Sequence, residues 1–566
     1  MAQLKMYWKT TPAAWPQCPA GVTYRSMQEN DEADALAWVS LCKNGLLSDR
    51  DGIESFAGRM FGQEGFTFDS VYFVEENGVP VATATAIIRP GGTLGYVHMV
   101  SVGSESRGKG YGTLLNDIVK ARFADAGVRG AYLTTDEWRV AAVRSYLRAE
   151  FWPVLYDEDM EARWERWLAD NGYHDIPFVD EQGAILKTLA VKLRLGIFGA
   201  RRGGSYAKAA LLSGMAEIAA VCDRDESSHA NVLQHCENEP LCFTDFEEFI
   251  HSGLDAVVLT NYFHKHAEFA VRAMKAGVNV FSETTAAVTL QECVNLCRTA
   301  EETGCCYMLA ENYPYFRAVR EMKALAEGGS MGAVLYGEGE YVHPMTEKEY
   351  RNYTPSAAHW RAQMPSVYYL THSLAPLMYM TGTMPKSVNG KCVYSQKPLR
   401  VYEDEPVKDT AAVLLCEMDS GALFRVTGWA KFAPHGTYYR LCCEDGGVEM
   451  PRGEEDSVHL TYNSWRIPAG AKQESRYRAD TGADYEKAKQ CGHNGGDFWV
   501  TQEFLRCLKE KRTPFFDVYC ACTMAAVGIL GWRSCQNGGA EYKIPDFRDE
   551  AQRKAVEDDD FSPFSD

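Results

Sequence analysis

Two glycine-rich loops, about ninety residues apart, are the segments of this sequence best suited to bind phosphate groups. The first is Arg107-Gly108-Lys109-Gly110-Tyr111-Gly112, and the second is Gly199-Ala200-Arg201-Arg202-Gly203-Gly204. Glycine allows the backbone to approach a ligand closely, and the N–H groups at the start of a helix attract anions. The loops therefore predict two separate phosphate-containing ligands on one chain.

The surroundings of the first loop fit the pyrophosphate of acyl-CoA. A predicted strand, 95–102, precedes it and a predicted helix, 113–126, follows. A second strand, 131–135, leads to a helical segment that carries Tyr146. Transfer of an acyl group to an amine also needs a group that removes the amine proton, and His98 and Asp136 are the candidates.

These segments together resemble the GNAT family of acyl-CoA-dependent N-acetyltransferases, over roughly residues 20–165. The resemblance implies that Tyr146 protonates the CoA thiolate as it leaves. It also implies that backbone N–H groups hold the CoA pyrophosphate, and these belong to Val102, Arg107, Gly108, Gly110 and Gly112. Two positions depart from the family, because Arg139 replaces the usual asparagine and residues 148–151 replace Lys-Leu-Gly-Phe. A domain that senses acyl-CoA without catalysis is the alternative.

The second loop opens a strand–loop–helix–strand unit that ends at Asp223. Such a unit is typical of a dinucleotide-binding Rossmann domain, in which three glycines meet the pyrophosphate and an acid about 20 residues on accepts the ribose hydroxyls. Gly199, Arg201 and Gly204 stand at the three glycine positions, so arginine replaces the second. Asp223 would repel a 2′-phosphate and favours NAD, although the adjacent Arg224 leaves NADP open.

From residue 192 to about residue 544, the chain resembles the glucose–fructose oxidoreductase/inositol dehydrogenase family (Gfo/Idh/MocA). The segments that carry the resemblance are 199–204, Asp223, 254–260, His266 and 277–283. The family's Glu-Lys-Pro triplet reads Glu283-Thr284-Thr285 here, and Tyr368 replaces the usual aspartate before the active-site histidine. An ordinary alcohol dehydrogenase of this family would therefore lack two expected groups.

The departures resemble a subgroup, the NAD-dependent glycoside hydrolases typified by bacterial α-N-acetylgalactosaminidase. The matching segments are 283–293, Glu311-Asn312, Trp360-Arg361, 369–376 and 492–497. The resemblance implies that Tyr369 and His372 transfer protons, while Glu283 and Asn312 line the nicotinamide and the sugar. Net oxidation of a sugar hydroxyl and redox-neutral cleavage of a glycoside both remain open at this stage.

The length of 566 residues predicts several compact units rather than one core. We expect an α/β protein with a GNAT-like α+β domain, a Rossmann domain and an α+β domain with a mixed or antiparallel sheet. The expected boundaries are 1–172 for the GNAT-like domain, 173–191 for a linker, 192–312 for the Rossmann domain and 313–566 for a substrate and oligomerisation domain. The last assignment predicts a homo-oligomer.

Composition excludes several classes of partner. A net charge of −19 without basic clusters disfavours nucleic acid and anionic membrane surfaces. The longest apolar stretch, 523–532, is too short to span a bilayer, and the N-terminus lacks the apolar region of a signal peptide. Eighteen scattered cysteines show no zinc spacing, so we expect no metal and a reduced, cytoplasmic protein.

Overall fold

The computed structural model describes the chain except residues 1, 20, 44, 172, 174–175, 190–191, 398–400, 407, 481, 483 and 565–566. The chain divides into two compact units, residues 1–191 and 192–566. The first unit has a single seven-stranded sheet with helices and an added hairpin. The second contains a parallel six-stranded sheet and a nine-stranded mixed sheet, which agrees with the predicted α/β class.

The first unit contains nine strands and five helices within its described residues. The strands are β1 (Leu4–Lys9), β2 (Val22–Ser26), β3 (Val71–Glu76), β4 (Val79–Ile88), β5 (Leu94–Val102), β6 (Gly130–Thr135), β7 (Trp152–Pro153), β8 (Ile176–Val179) and β9 (Ile185–Leu189). The helices are α1 (Glu32–Cys42), α2 (Glu54–Met60), α3 (Tyr111–Asp125), α4 (Val140–Arg148) and α5 (Met160–Asp170). The large sheet has the order β2-β3-β4-β5-β6-β1-β7.

Strands β5 and β6 are the parallel pair of this sheet, and they pair along only part of their length. The pairing runs from Leu94 opposite Gly130 to Tyr96 opposite Tyr132, although both strands continue beyond these residues. A bulge in β5 places Met99 in the left-handed region, at φ 52°, and increases the local twist. The two strand ends that lead to the first glycine loop and to α4 therefore lie apart.

The segment expected to be a linker contains β8 and β9, which form an antiparallel hairpin. Phe178 is fully buried in the main core of the first unit, and Val154 bridges to Val179. Buried apolar side chains on β8 explain the order, because they give a short segment a core to pack against. The hairpin belongs to the first compact unit.

The second unit begins with a Rossmann arrangement of six parallel strands in the order β12-β11-β10-β13-β14-β15. The strands are β10 (Leu193–Phe198), β11 (Ala216–Cys222), β12 (Leu241–Phe243), β13 (Ala256–Leu259), β14 (Asn279–Ser282) and β15 (Tyr307–Leu309). The helices are α6 (Ala200–Ser213), α7 (Ala230–Leu233), α8 (Phe246–Ile250), α9 (His266–Lys275) and α10 (Leu290–Thr303). The central strands are almost entirely apolar because helices cover both faces of such a sheet.

The rest of the second unit is built on a nine-stranded sheet in the order β23-β22-β21-β20-β16-β19-β18-β17-β24. Its strands are β16 (Val334–Val342), β17 (Pro385–Val393), β18 (Ala411–Met418), β19 (Leu423–Thr427), β20 (Gly436–Cys443), β21 (Gly446–Met450), β22 (Ser457–Tyr462), β23 (Glu474–Arg478) and β24 (Tyr542–Lys543). Only β16 and β19 pair in parallel within the described sheet. The sheet is therefore mixed, as predicted.

Eight helices accompany this sheet in the described chain. They are α11 (Arg317–Glu327), α12 (Glu347–Tyr353), α13 (Trp360–Gln363), α14 (Thr371–Thr381), α15 (Tyr485–Ala488), α16 (Gly496–Glu510), α17 (Val518–Gln536) and α18 (Glu550–Lys554). Helix α17 has 19 residues and is longer than the apolar stretch seen in the sequence, so by length and composition it could cross a membrane. However, 78% of its apolar window is buried against the rest of the protein, as in the core helix of a globular fold.

Candidate active sites

The first glycine loop lies between β5 and α3 and presents a run of free backbone N–H groups. Gly108 and Gly110 have φ of 83° and 88°, a region that disfavours every other residue type. Within the described residues, the N–H groups from Gly108 to Gly112 have no hydrogen-bond acceptor. Orphan N–H groups at the start of a 15-residue helix fit the pyrophosphate of CoA.

Tyr146 lies on α4 in the same unit and is 8% exposed. Burial raises the pKa of its phenol to about 12, with a smaller opposing effect of Arg139. The phenol is therefore protonated at neutral pH, which is the state needed to donate a proton to a thiolate. Asn116 of α3 holds the neighbouring Ser145 through a hydrogen bond of 2.9 Å from Nδ2 to Oγ, so α3 and α4 are fixed to each other.

The two candidates for the proton-accepting group are both engaged with other residues. His98 Nδ1 lies 3.1 Å from the hydroxyl of Tyr96 and Nε2 lies 3.3 Å from the carbonyl oxygen of Arg59. Burial lowers the pKa of His98 to about 4, so its imidazole is a weak base. Asp136 accepts a hydrogen bond of 3.2 Å from Arg139 Nε. Neither assignment gains support from these partners, and each stays a prediction.

In the second glycine loop, Gly199 is the one residue between the end of β10 and the start of α6, and it forms a tight turn. Gly199 has φ 94°, and a Cβ there would lie 2.6 Å from the backbone of Thr260. A Cβ on Gly203 would lie 2.3 Å from Cγ2 of Ile197, and a Cβ on Gly204 would lie 2.4 Å from the carbonyl oxygen of Asn231, so neither position has space for a side chain. All three glycines are thus required for helix α6 to start so close to the sheet.

The start of α6 fits the pyrophosphate of a dinucleotide. The backbone N–H groups of Arg201 and Arg202 have no acceptor among the described residues, while Ala200 N donates to Asp223 Oδ2 at 2.8 Å. Asp223 Oδ1 accepts from Asp225 N at 3.0 Å. Asp223 therefore fixes the glycine loop in addition to its predicted role toward the ribose. The Arg201 side chain is exposed and donates to the carbonyl oxygen of Asn352.

Arg202, on the first turn of α6, links the half-buried carboxylate of Glu283 to the fully buried carboxylate of Asp497. Its Nε donates to Glu283 Oε1 at 2.7 Å, and Nη1 and Nη2 donate to Asp497 Oδ2 and Oδ1 at 2.7 and 2.9 Å. Tyr206 OH also donates to Glu283 Oε1 at 3.0 Å, and Asn312 Nδ2 donates to Asp497 Oδ1 at 2.7 Å. Sequence reasoning missed Arg202, although a cation in the first turn of a helix opposes the helix dipole and marks a special position.

The charges of this cluster are set by Arg202. Burial raises the pKa of Glu283, but the guanidinium and the Thr284 N–H outweigh it and hold the pKa below its ordinary value. In Asp497 burial is again opposed by Arg202, together with His493, and the pKa lies well below its ordinary value. Both carboxylates are ionised at neutral pH, so Glu283 can accept hydrogen bonds from a ligand but cannot donate one.

His372 and Glu311 form a second buried pair next to this cluster. His372 Nδ1 lies 2.7 Å from Glu311 Oε1, and the glutamate is fully buried. With Glu311 Oε1 as the acceptor of this hydrogen bond, Nδ1 carries the hydrogen and Nε2 is the nitrogen with the free lone pair. The imidazole stacks on Tyr313 with ring centres 4.1 Å apart and meets the edge of Tyr341 at 4.8 Å. The sequence contained Glu311 within a motif but gave no role for it.

Tyr369 and Thr284 lie next to the pair formed by His372 and Glu311. The Tyr369 ring centre lies 5.0 Å from that of His372, and burial raises the pKa of its phenol to about 12, against the effect of Arg361. Thr284, at the position of the family lysine, shares a hydrogen bond of 2.8 Å with Thr371 Oγ1, next to His372. The structure thus brings together the predicted residues Glu283, Asn312, Tyr369 and His372, whereas Tyr146 belongs to the first unit.

In the described part of the chain, three or more His, Cys, Asp or Glu side chains do not converge in a geometry that could hold a metal ion. The eighteen cysteines are all free thiols.

Three family models match separate segments of the chain. Residues 35–151 match the acetyltransferase (GNAT) family. Residues 193–311 match the NAD-binding Rossmann fold of the Gfo/Idh/MocA oxidoreductase family. Residues 477–553 match the C-terminal domain of glycosyl hydrolase 109. The segments fall in the first unit, the parallel sheet and the C-terminal helices, respectively.

Similar proteins include members of glycosyl hydrolase family 109. Glycosyl hydrolase family 109 protein 1 of Shewanella sp. strain MR-4 is 24% identical over 403 residues, which cover 64% of this chain and 87% of that protein. The alpha-N-acetylgalactosaminidase of Shewanella oneidensis is 24% identical over 394 residues, which cover 63% of this chain and 85% of that protein.

Solved structures share the fold of the second unit. Levoglucosan dehydrogenase in complex with NADH and levoglucosan has a TM-score of 0.55 at 18% identity and covers 63% of this chain and 100% of its own. An inositol dehydrogenase homologue from Azotobacter vinelandii has a TM-score of 0.51 at 17% identity, covering 63% of this chain and 98% of its own. The chain therefore joins a GNAT-family domain to a Gfo/Idh/MocA-type Rossmann domain with a C-terminal domain of the glycosyl hydrolase 109 type.

Proposed function

We propose that the second unit is an NAD-dependent enzyme that cleaves a glycoside without net oxidation, and that the first unit transfers an acetyl group from acetyl-CoA to an amine. The observation that carries the first proposal is the environment of His372. The histidine is oriented by the buried Glu311, while Thr284, in the place of the family lysine, is held by Thr371. The site has an oriented histidine that can accept a proton, but it has a threonine where an ordinary alcohol dehydrogenase of the family has its lysine.

In the second unit, different residues would bind the cofactor and transfer protons. Bound NAD would accept a hydride from a sugar carbon and return it, and the N–H groups of Arg201 and Arg202 would hold its pyrophosphate. A carbonyl in the sugar makes the adjacent C–H acidic, so His372 Nε2 can remove that proton without help from a lysine. The Tyr369 phenol, protonated at neutral pH, can donate a proton to a leaving or returning oxygen.

The similarity to glycosyl hydrolase family 109 supports bond cleavage as the outcome. Net oxidation of a sugar hydroxyl is the second candidate, because the fold is shared with dehydrogenases. Loss of the lysine makes such an enzyme slow, since proton removal from the hydroxyl would depend on Tyr369, His372 or water. An enzyme that recycles its hydride tolerates this change better.

A panel of aryl glycosides in deuterated water, with no added reductant, separates the two outcomes. Redox-neutral cleavage releases the aglycone, places deuterium at C2 of the sugar and leaves the absorbance of NAD constant. Formation of one NADH per free sugar or cyclitol, without cleavage of a bond, would contradict the proposal and assign the unit to ordinary oxidoreduction.

The acetyl-CoA site is tested by Gly110→Val. Valine disfavours the φ of 88° at this position, and its side chain would crowd the N–H groups that face the pyrophosphate. We expect acetyl-CoA binding to fall below detection by calorimetry, while NAD binding is retained. Gly91→Val is the matched control, because Gly91 has φ 91° and open space but lies in the turn between β4 and β5. Loss of both ligands in a folded Gly110→Val protein would contradict two separate sites.

The choice of dinucleotide is tested at Asp223. Its carboxylate supports the glycine loop and is predicted to accept the ribose hydroxyls, so Asp223→Ala should weaken NAD binding by about 1.5–3 kcal/mol. Fluorescence titration measures the change, and Asp225→Ala is the control because that acid caps only the next helical turn. Tighter binding of NADP than of NAD by the unchanged protein would show that the assignment is wrong.

A further inference from the structure

A cavity with a volume of about 260 Å³ lies in the second unit, beside the group formed by Tyr369 and His372. Trp429 lines this cavity, and its ring centre lies 6.2 Å from that of Tyr369. Trp429 therefore connects the cavity with the candidate sugar site, because it lines the cavity and lies near Tyr369. Other side chains that line it are Tyr350, Lys408, Asp409, Lys431 and Phe432.

Lys431 is a cation in this cavity that lacks a carboxylate partner. Its Nζ lies 4.8 Å from the centre of the Trp429 ring and donates to the backbone carbonyl oxygen of Asp409 at 3.2 Å. In the described chain, no carboxylate oxygen lies within 4.0 Å of it. Burial lowers the pKa of Lys431 to about 8, and repulsion by Lys408 and Arg361 adds to that effect against the attraction of Asp409.

Arg361 is the second cation without a carboxylate partner on this side of the site. Its guanidinium lies 5.8 Å from the ring centres of both Trp429 and Tyr369, and 4.4 Å from that of Trp360. Its Nε is buried and has no acceptor among the described residues. A buried donor of positive charge without an acceptor is costly, and an anionic ligand would remove that cost.

The two acids near Lys431 are hydrogen-bonded to other residues, so they attract this cation without forming an ion pair with it. Glu405 pairs with Lys408 at 2.8 Å and also accepts from the hydroxyl of Tyr350. The carboxylate of Asp409 accepts from the backbone N–H and the hydroxyl of Ser366. Lys431 and Arg361 therefore both lie close to the Trp429 ring, and within the described residues neither forms an ion pair with a carboxylate.

We propose that this cavity binds an anionic group, a carboxylate or a phosphate, carried by the substrate of the second unit. Lys431 and Arg361 are its charge partners, and Trp429 packs against the ring that bears the group. The substrate is then an acidic sugar or a sugar phosphate rather than a neutral hexose. This inference rests on the proposed function, because that function identifies the neighbouring site as the place of the sugar.

Thermal unfolding with inorganic phosphate as the probe tests the cavity without any turnover. At constant ionic strength, phosphate should raise the melting temperature more than chloride does, and Lys431→Met should need at least tenfold more phosphate for the same shift. Lys543→Met is the control, because Lys543 is exposed on β24. An equal response of the unchanged protein and Lys431→Met, or no response in either, would overturn the proposal.

Calorimetry with matched sugars then identifies the source of the anion. Methyl glucuronide, glucose 6-phosphate and methyl glucoside differ in the charged group, and at least one acid should bind at least tenfold more tightly than the neutral sugar. Lys431→Met should abolish this preference while NAD binding is unchanged. Glycoside turnover that is indifferent to charge would leave the proposed function standing and remove the anion site. Phosphate binding at Lys431 without hydride chemistry on any sugar would instead support the anion site and contradict the proposed function.

Discussion

Replacement of His372 by alanine is expected to lower the turnover of the second unit by about 10²–10⁴-fold, the usual contribution of a general acid or base. The imidazole is 7% exposed, its Nδ1 is held by Glu311, and within the described residues its Nε2 has no partner. That nitrogen is therefore placed to accept a proton from a substrate. The expected loss is in kcat, because the proposed role of the imidazole is to take up a proton during the reaction.

Two further variants distinguish catalysis from structure at this position. Glu311→Gln keeps the shape of the partner but places an amide, which can donate as well as accept, beside Nδ1 of His372. The tautomer of the imidazole is then no longer fixed, so kcat should also fall. His459→Ala removes another paired histidine, from β22, and should leave turnover unchanged. Equal kcat for His372→Ala and the unchanged protein, with NAD still bound, would exclude His372 from the chemistry.

Replacement of Arg202 by methionine is expected to cost about 3 kcal/mol of unfolding free energy. Removing one partner of a buried ion pair leaves the other charge uncompensated and typically costs about 3–5 kcal/mol. Here two carboxylates, Glu283 and Asp497, lose the same guanidinium. The lower end of the range applies because the Arg202 side chain keeps 29% of its accessible surface. Urea unfolding without added dinucleotide measures the change.

Arg201→Met provides the matched control for this variant. Arg201 is the preceding residue of the same helical turn, but its side chain is exposed and makes one hydrogen bond, to a backbone carbonyl. A surface substitution of this kind usually changes stability by less than about 0.5 kcal/mol. Similar losses in both variants would show that the cluster around Glu283 and Asp497 does not depend on the guanidinium.

The cost of Arg202→Met should also depend on pH. The folded protein holds the pKa values of Glu283 and Asp497 below their ordinary values, so their contribution to stability is present above about pH 4 and is lost as the pH falls. Without Arg202 the buried carboxylates take up protons at higher pH, which relieves their repulsion. The difference between the two proteins should therefore shrink between pH 7 and pH 4. A constant difference would indicate lost packing instead of lost charge.

Local signals in the sequence were sufficient to predict many of the elements. Thr289 and Glu292 have the residue types and the spacing of a capping box, and both of its hydrogen bonds are present at the start of α10. Gly304 ends that helix with φ 68°, a left-handed conformation that other residues rarely adopt. The apolar run 193–198 forms β10, the strand that was predicted to precede the second glycine loop. In each case the physical cause lies within a few neighbouring residues, so the chain itself displays it.

Segments with weak or interrupted patterns were not predicted. The hairpin of β8 and β9 contains Pro177 and short strands, so the alternation of apolar residues is hard to recognise before the core that Phe178 enters is known. Strands β21 to β23 lie at one end of the large sheet. Many of their side chains are half-exposed, so apolar and polar residues do not alternate clearly along them. Their formation depends on the strands beside which they pair.

The sequence by itself determined the two glycine-rich loops, the alternation of strands and helices in the Rossmann domain, and the candidates Glu283, Asn312, Tyr369 and His372. Only the tertiary structure decided which charges meet. Arg202 is 81 residues from Glu283 and 295 from Asp497, and His372 is 61 residues from Glu311. Periodicity and capping report interactions over a few residues, whereas partners at these separations depend on strand order and on helix packing. The role of Arg202 could therefore be recognised only after α6, β14 and α16 were placed together.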